Sequence, residues 1–187
     1  MGMICYFIAV SEQDMSDIAA NPNRLVTITP GGEGKLSAEE LELLGMTEED
    51  LAWKPAAEPK ILDVNKAWDG MNFLLSKAGD DAGFPYTFIN AGGIELDATE
   101  EEWGYGPPRS FDSAKVHEIA RMMQDIDVDA LFEQADPEEL EKADVYCFRM
   151  DEPKEESIGY FTYYLAGLKT FIRDAAAENR ALIVYLA

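Results

Sequence analysis

Two apolar runs, one near each end of the chain, limit what it can fold into. "MICYFIAV" at residues 3–10 and "ALIVYLA" at 181–187 show no alternation of apolar and polar side chains. A strand with one wet face alternates with a period of two, so an unbroken apolar run reads as a strand covered on both faces. Both runs therefore belong at central positions of a sheet with helices on either side. The 187 residues fit a single domain, since domains hold ~100–200 residues. A chain of this size buries about 70% of its unfolded surface and needs neither disulfides nor metal to hold a core. No internal repeat or interdomain linker interrupts it, so residues 1–187 read as one α/β domain.

The stretches between the two runs supply the helices. Ser11, with Asp14 three residues on, caps a short helix over "DMSDIAA". "SAEELELLG" has Ser37 as cap, Glu40 as box partner and Gly45 as stop, and "TEEDLAW" repeats the device with Thr47 and Asp50. "LDVNKAWDGMNFLLSKAG" is amphipathic, with Asp63 as cap, a stripe of Val64, Trp68, Met71 and Leu75, and Gly79 as its end. Residues 113–123 put Val116, Ile119, Ala120 and Met123 on one face. Asp127 or Asp129 begins another helix and Pro137 a further short one. The longest helix spans 157–178, its stripe of Phe161, Leu165, Leu168 and Ile172 widened by Tyr160, Tyr164 and Phe171; Asn179 is its left-handed cap. Residues 21–34 read as a loop around a short strand, "LVTIT" at 25–29; "FPYTFI" at 84–89 reads as a short strand or extended segment, "GGIELD" at 92–97 as another, and "DVYCFRM" at 144–150 as a strand.

Charge narrows the partners. Thirty-seven acids against 15 Lys and Arg leave a formal charge of −22, a surface that repels phosphate backbones and excludes direct nucleic-acid binding. Residues 125–156 alone hold thirteen acids and three bases, either a solvated face or a docking surface for a basic protein, in the manner of a nucleic-acid mimic. Cys5 and Cys147 both fall in strand-like runs and read as buried free thiols of a reducing compartment. The apolar start is too short to span a bilayer and lacks the basic residues of a signal peptide, so a cytoplasmic protein with no membrane contact is expected. Oligomeric state leaves no mark in the sequence.

Few residues bear chemistry. "WGYGPPRSF" at 103–111 joins two prolines that fix the backbone to glycines that let it approach other chain closely. Read as a stiff turn, it holds Tyr105 as a lid and Arg109 against Asp112 or the acids of 95–102. Read as a site, it is a pocket walled by Trp68, Tyr105 and Arg109, with Arg109 clamping a carboxylate or phosphate while the aromatics stack on a ring. His117, the single histidine, lies on the flank of an apolar helix face and is a packing residue or a further pocket residue. It has no second ligand at zinc spacing. Asp125, Asp127 and Asp129 imitate the opening of a calcium loop, but Ala130 stands where the turn needs glycine and Asp136 where the loop needs glutamate. "TPGGEGK" fails the Walker spacing, with Leu36 in place of the hydroxyl. No metal site and no cofactor are expected, and no catalytic residue is assigned.

The order of "MGMICYF", "LDVNKAWDGMNFLL", "GG" at 92–93, "YGPPR", "VHEIARMM", "VYCF" and "LIVYLA" resembles the YfbM-like family, also called domain of unknown function 1877, over Met1 to Ala187. The resemblance implies a three-layer arrangement of helices around a small mixed sheet in a cytoplasmic bacterial protein, and implies no activity. Members often carry a histidine where this chain has Asn72. The leading functional expectation is a non-catalytic binding or interaction module, in its specific form an antidote to a basic toxin or nuclease. The alternative is an enzyme or small-ligand receptor with an anion pocket near Trp68, Tyr105 and Arg109.

Overall fold

The two apolar runs are neighbours in the middle of a sheet. In the computed structural model, which describes residues 2–30, 39, 41, 45–79, 83–96 and 105–187, β1 (Cys5–Val10) pairs with β5 (Ala181–Leu186) from Cys5↔Leu186 to Val10↔Ala181. β2 (Lys60–Asp63) flanks β1, while β4 (Arg109–Phe111) and then β3 (Ile94–Glu95) flank β5, giving the order β2-β1-β5-β4-β3. Each of these pairs among the described residues is antiparallel. Antiparallel strands need no crossover helix between them. That is how the first and last segments of the chain come to lie side by side.

Alternation along the two central strands divides the core. Cys5, Phe7, Ala9, Leu182 and Val184 point into the larger cluster, and Ile8, Val10, Ala181, Ile183 and Tyr185 into the smaller. The larger layer holds α3 (Trp68–Ala78), α4 (Ser113–Asp125), α5 (Val128–Gln134), α6 (Pro137–Lys142) and α7 (Lys154–Ala177). The smaller holds α1 (Glu12–Ala20) and a 3-10 segment over Pro22–Ile28; the short α2 (Glu48–Ala52) packs on that segment. The chain is thus a small α/β domain with helices on both faces of one sheet. α7 packs on α3, α4 and α5, which is why its apolar stripe is so broad. Trp68, Phe161, Leu165, Leu168 and Val184 share the larger cluster, as the helical spacing predicts.

Most of the capping signals within the described residues hold. Ser11 Oγ accepts from Asp14 N at 3.1 Å, and Thr47 and Asp50 form a reciprocal box. Asp127 caps α5 through Ala130 N, and Asn179 takes the left-handed conformation at φ 51° just after α7. α7 begins at Lys154 behind Pro153, three residues before the expected start.

Five local expectations are overturned. Leu25 to Ile28 of "LVTIT" end the 3-10 segment and Thr29 follows it, with Leu25 and Ile28 the buried pair, a spacing of three and not two. "FPYTFI" is a succession of turns closed by Tyr86 N to Gly83 O (2.9 Å) and Asn90 N to Thr87 O (3.0 Å). "DVYCFRM" is a turn as well: Asp144 and Cys147 have φ of 53° and 63°, and Asp69 accepts from Tyr146 N at 2.8 Å. Cys147 is consequently exposed, whereas Cys5 is buried. Asp63 ends β2 and accepts from Asn65 N; a 3-10 turn over Asn65–Ala67 precedes α3, so Asp63 does not cap that helix. β2 and β4, each at most four residues long, were not anticipated. The "SAEELELLG" helix falls almost wholly outside the described residues.

Candidate functional site

Trp68, Tyr105 and Arg109 line one cavity of about 360 Å³ at the end of the sheet, with Asn90, Glu95 and Tyr185. The fold brings them there by three routes. Arg109 opens β4 and stands opposite Val184 of β5 on one side and Glu95 of β3 on the other. Trp68 starts α3, where its Nε1 donates to Met3 O at 3.3 Å and its ring lies 5.8 Å from that of Tyr146. Tyr105 stands on the rim, 51% exposed. Trp103, Gly104 and the acids of 97–102 lie outside the described residues.

Arg109 is not held as expected. It sits on a strand, and its guanidinium reaches across to the backbone of the 84–92 turns. Nη1 donates to Phe88 O at 3.3 Å and Gly92 O at 3.4 Å, and Nη2 donates to Ile89 O. Asp112, a proposed ion partner, instead caps α4 by accepting from Lys115 N at 2.8 Å. Burial lowers the Arg109 pKa, opposed by the charge of Glu95 among others. The arginine therefore ties a strandless segment to the sheet edge by satisfying carbonyls that no strand partner satisfies.

The other proposed pocket residue lies elsewhere. His117, on α4, places Nε2 3.0 Å from Asn179 Oδ1 at the end of α7 and does not line the Trp68 cavity. Burial pushes the Cys5 thiol far above its ordinary value, with Arg109 opposing, which leaves it a packing group and not a nucleophile. In the imitation calcium loop, Asp127 and Asp136 cap α5 and α6. Among the described residues, no group of three His, Cys, Asp or Glu is placed to hold a metal ion. Asn72 buries its side-chain oxygen without a hydrogen-bond partner among the described residues.

Arg109→Gln is expected to cost ~1–3 kcal/mol, the range for leaving buried polar groups unsatisfied. That exceeds the ~0–1 kcal/mol of an exposed ion pair. A lowered denaturation midpoint would show it; an unchanged midpoint would mean that the three carbonyl bonds contribute nothing.

The acidic stretch forms a second feature. The end of α4 at Asp125, α5 and α6 with their caps, the 143–153 turns and the first turn of α7 expose twelve of the thirteen carboxylates, Glu152 being half-buried. Among the described residues only Glu139 and Glu152 stand in ion pairs, with Lys77 and Arg149. Beside them Tyr163 is 75% exposed on α7, two turns beyond Glu156 on the same face, its ring 5.4 Å from Tyr164. Sequence reasoning missed Tyr163, although its place off both apolar stripes of the longest helix was the signal.

The family model described as "Domain of unknown function (DUF1877)" matches residues 1–185. No curated protein matches the chain. Among solved structures, the chain is similar to a protein of unknown function, YfbM from Escherichia coli. The TM-score is 0.62 at 13% identity, over 98% of this chain and 99% of that one. Likeness at that identity speaks for the fold.

Proposed function

Because the chain belongs to the DUF1877 family, whose description carries no activity, we propose a function from its own surface: a binding module that docks a basic protein on the face built by α5, α6 and the start of α7. One observation carries this reading. The thirteen carboxylates of 125–156 are crowded on exposed elements with few cations among them. Like charges held together repel, a cost that a basic partner relieves, and complementary charge speeds encounter and fixes register. Charge alone gives little affinity, and interfaces draw most of theirs from a few anchors, often tyrosine. Tyr163 is placed to be one. The specific form of the reading is an antidote that occupies a basic toxin or nuclease.

The test is affinity capture from the source cells at low and high salt. Wild type is compared with Tyr163→Ala and with a variant carrying glutamine at Glu133, Glu141 and Glu156 and asparagine at Asp151. A basic protein held by wild type at low salt, and lost by both variants and by wild type at high salt, is the expected outcome. Equal retention by all three chains would end the reading.

A second reading rests on the Trp68 cavity, whose volume lies within the ~300–1,000 Å³ of small-molecule sites. With the Arg109 guanidinium committed to carbonyls, recognition there falls to the rings of Trp68 and Tyr105, to Asn90 and to Glu95. Phosphate and small dicarboxylates should therefore raise the melting temperature no more in wild type than in Arg109→Gln at equal ionic strength. A shift with one anion, absent in the variant, would restore Arg109 as a clamp.

A further inference from the structure

A groove between α4 and α7 stands against the charge of the rest of the molecule. It encloses about 490 Å³, and among the described residues no aspartate or glutamate lines it. Its polar lining includes His117, Arg121, Lys169 and Arg173. In a chain with 37 acids and 15 Lys and Arg, three of those cations and the one histidine share a single concavity.

Helix geometry explains the juxtaposition. His117 and Arg121 are four residues apart on α4, as are Lys169 and Arg173 on α7, so each pair projects from one side of its helix. The helices run antiparallel: Lys169 Nζ donates to Gln124 O and Ile126 O at one end of the seam, and His117 meets Asn179 at the other. The two pairs therefore face one groove. Between them, Ala120, Ala166 and Ala176 leave space where larger side chains would close the seam, and Met123 and Val128 add apolar surface.

Internal partners balance these cations unevenly. Lys169 is held by carbonyls at the α4 terminus, and Arg173 pairs with Asp174. Arg121 donates through Nε to His117 O at 3.4 Å and makes no ion pair among the described residues. Like charges four apart on a helix are mutually unfavourable, so Lys169 and Arg173 on α7 bear a repulsion that an anion in the groove would relieve.

We propose that this groove binds a small amphiphilic anion, an apolar group bearing one carboxylate or phosphate. The head meets Arg121 and Arg173 while the apolar part lies on the alanines, Met123 and Val128. Net charge excludes a polyanion, because the surrounding surface would repel it at long range. A short tail and a single head group match a cavity of this volume.

Titration calorimetry of the full chain at fixed ionic strength tests this, with octanoate and octyl phosphate as probes and octanol and acetate as controls. One saturable site is expected for at least one probe, with octanol and acetate much weaker, since each control lacks half of the recognition. Whichever probe binds more tightly identifies the head group. Arg121→Glu, and separately Arg173→Glu, should weaken binding at least about tenfold, the scale of a lost charge-assisted hydrogen bond. Arg149→Glu makes the same change in net charge outside the groove and should leave binding unchanged. Absence of saturable binding by either probe, octanol binding as tightly as octanoate, or equal losses in Arg121→Glu and Arg149→Glu would each overturn the proposal.

Discussion

Phe161→Ala is expected to lower the stability of the fold by ~3–5 kcal/mol, the range for removing a fully buried phenylalanine. Phe161 is inaccessible to solvent in the larger core, where α7 meets α3. The contact is close because α3 has no side chain there: a Cβ added at Gly70 would lie 2.3 Å from the Phe161 ring. Gly70→Ala alone should therefore cost ~1–3 kcal/mol through overpacking. Combined with Phe161→Ala, the same alanine should become neutral or favourable, because it gains ~1 kcal/mol of helix propensity and no longer meets a ring. Denaturant unfolding of the two single variants and the double variant gives the coupling directly. Strictly additive losses would mean that the ring does not pack on Gly70, and that the way α7 is seated on α3 is wrong.

Elements that bury a face unaided were legible in the sequence. The unbroken runs of β1 and β5 placed them centrally, and the period of α3, α4 and α7 identified their core sides. Segments whose conformation depends on a distant partner were not. β4 is three residues held between β3 and β5. "DVYCFRM" has the β-branched and aromatic residues of a strand, yet Asp69 accepts its Tyr146 amide and two left-handed residues turn it back. Composition cannot announce either arrangement.

The candidate sites divide along the same line. Trp68, Tyr105 and Arg109 were grouped from their residue types, and the fold gathers them round one cavity. The commitment of Arg109 to Phe88, Ile89 and Gly92 carbonyls was invisible, because it depends on the turns of 84–92 being turns. His117 was read as a packing residue or a further pocket residue, and its groove against α7 emerges only when two helices lie side by side. The acidic face was legible as charge, but the exposure of Tyr163 beside it was not, because exposure is a tertiary property.

The second large effect concerns binding. On a surface with unpaired carboxylates, association with a basic protein is steered by charge, which raises encounter rates ~10–10³-fold and falls steeply with ionic strength. Neutralising Glu133, Glu141, Asp151 and Glu156 should remove much of that gain. Tyr163→Ala should act mainly on dissociation, because an aromatic anchor contributes after contact is made. Both substitutions sit on exposed positions and should leave the denaturation midpoint within ~0.5 kcal/mol of wild type. The decisive measurement is the association rate constant of the captured basic protein with wild type and with the neutralised variant, each followed from low to high salt. The rate for wild type should fall steeply with salt and converge on a low, nearly salt-independent rate for the variant. Two identical curves would contradict a docking surface on α5, α6 and α7.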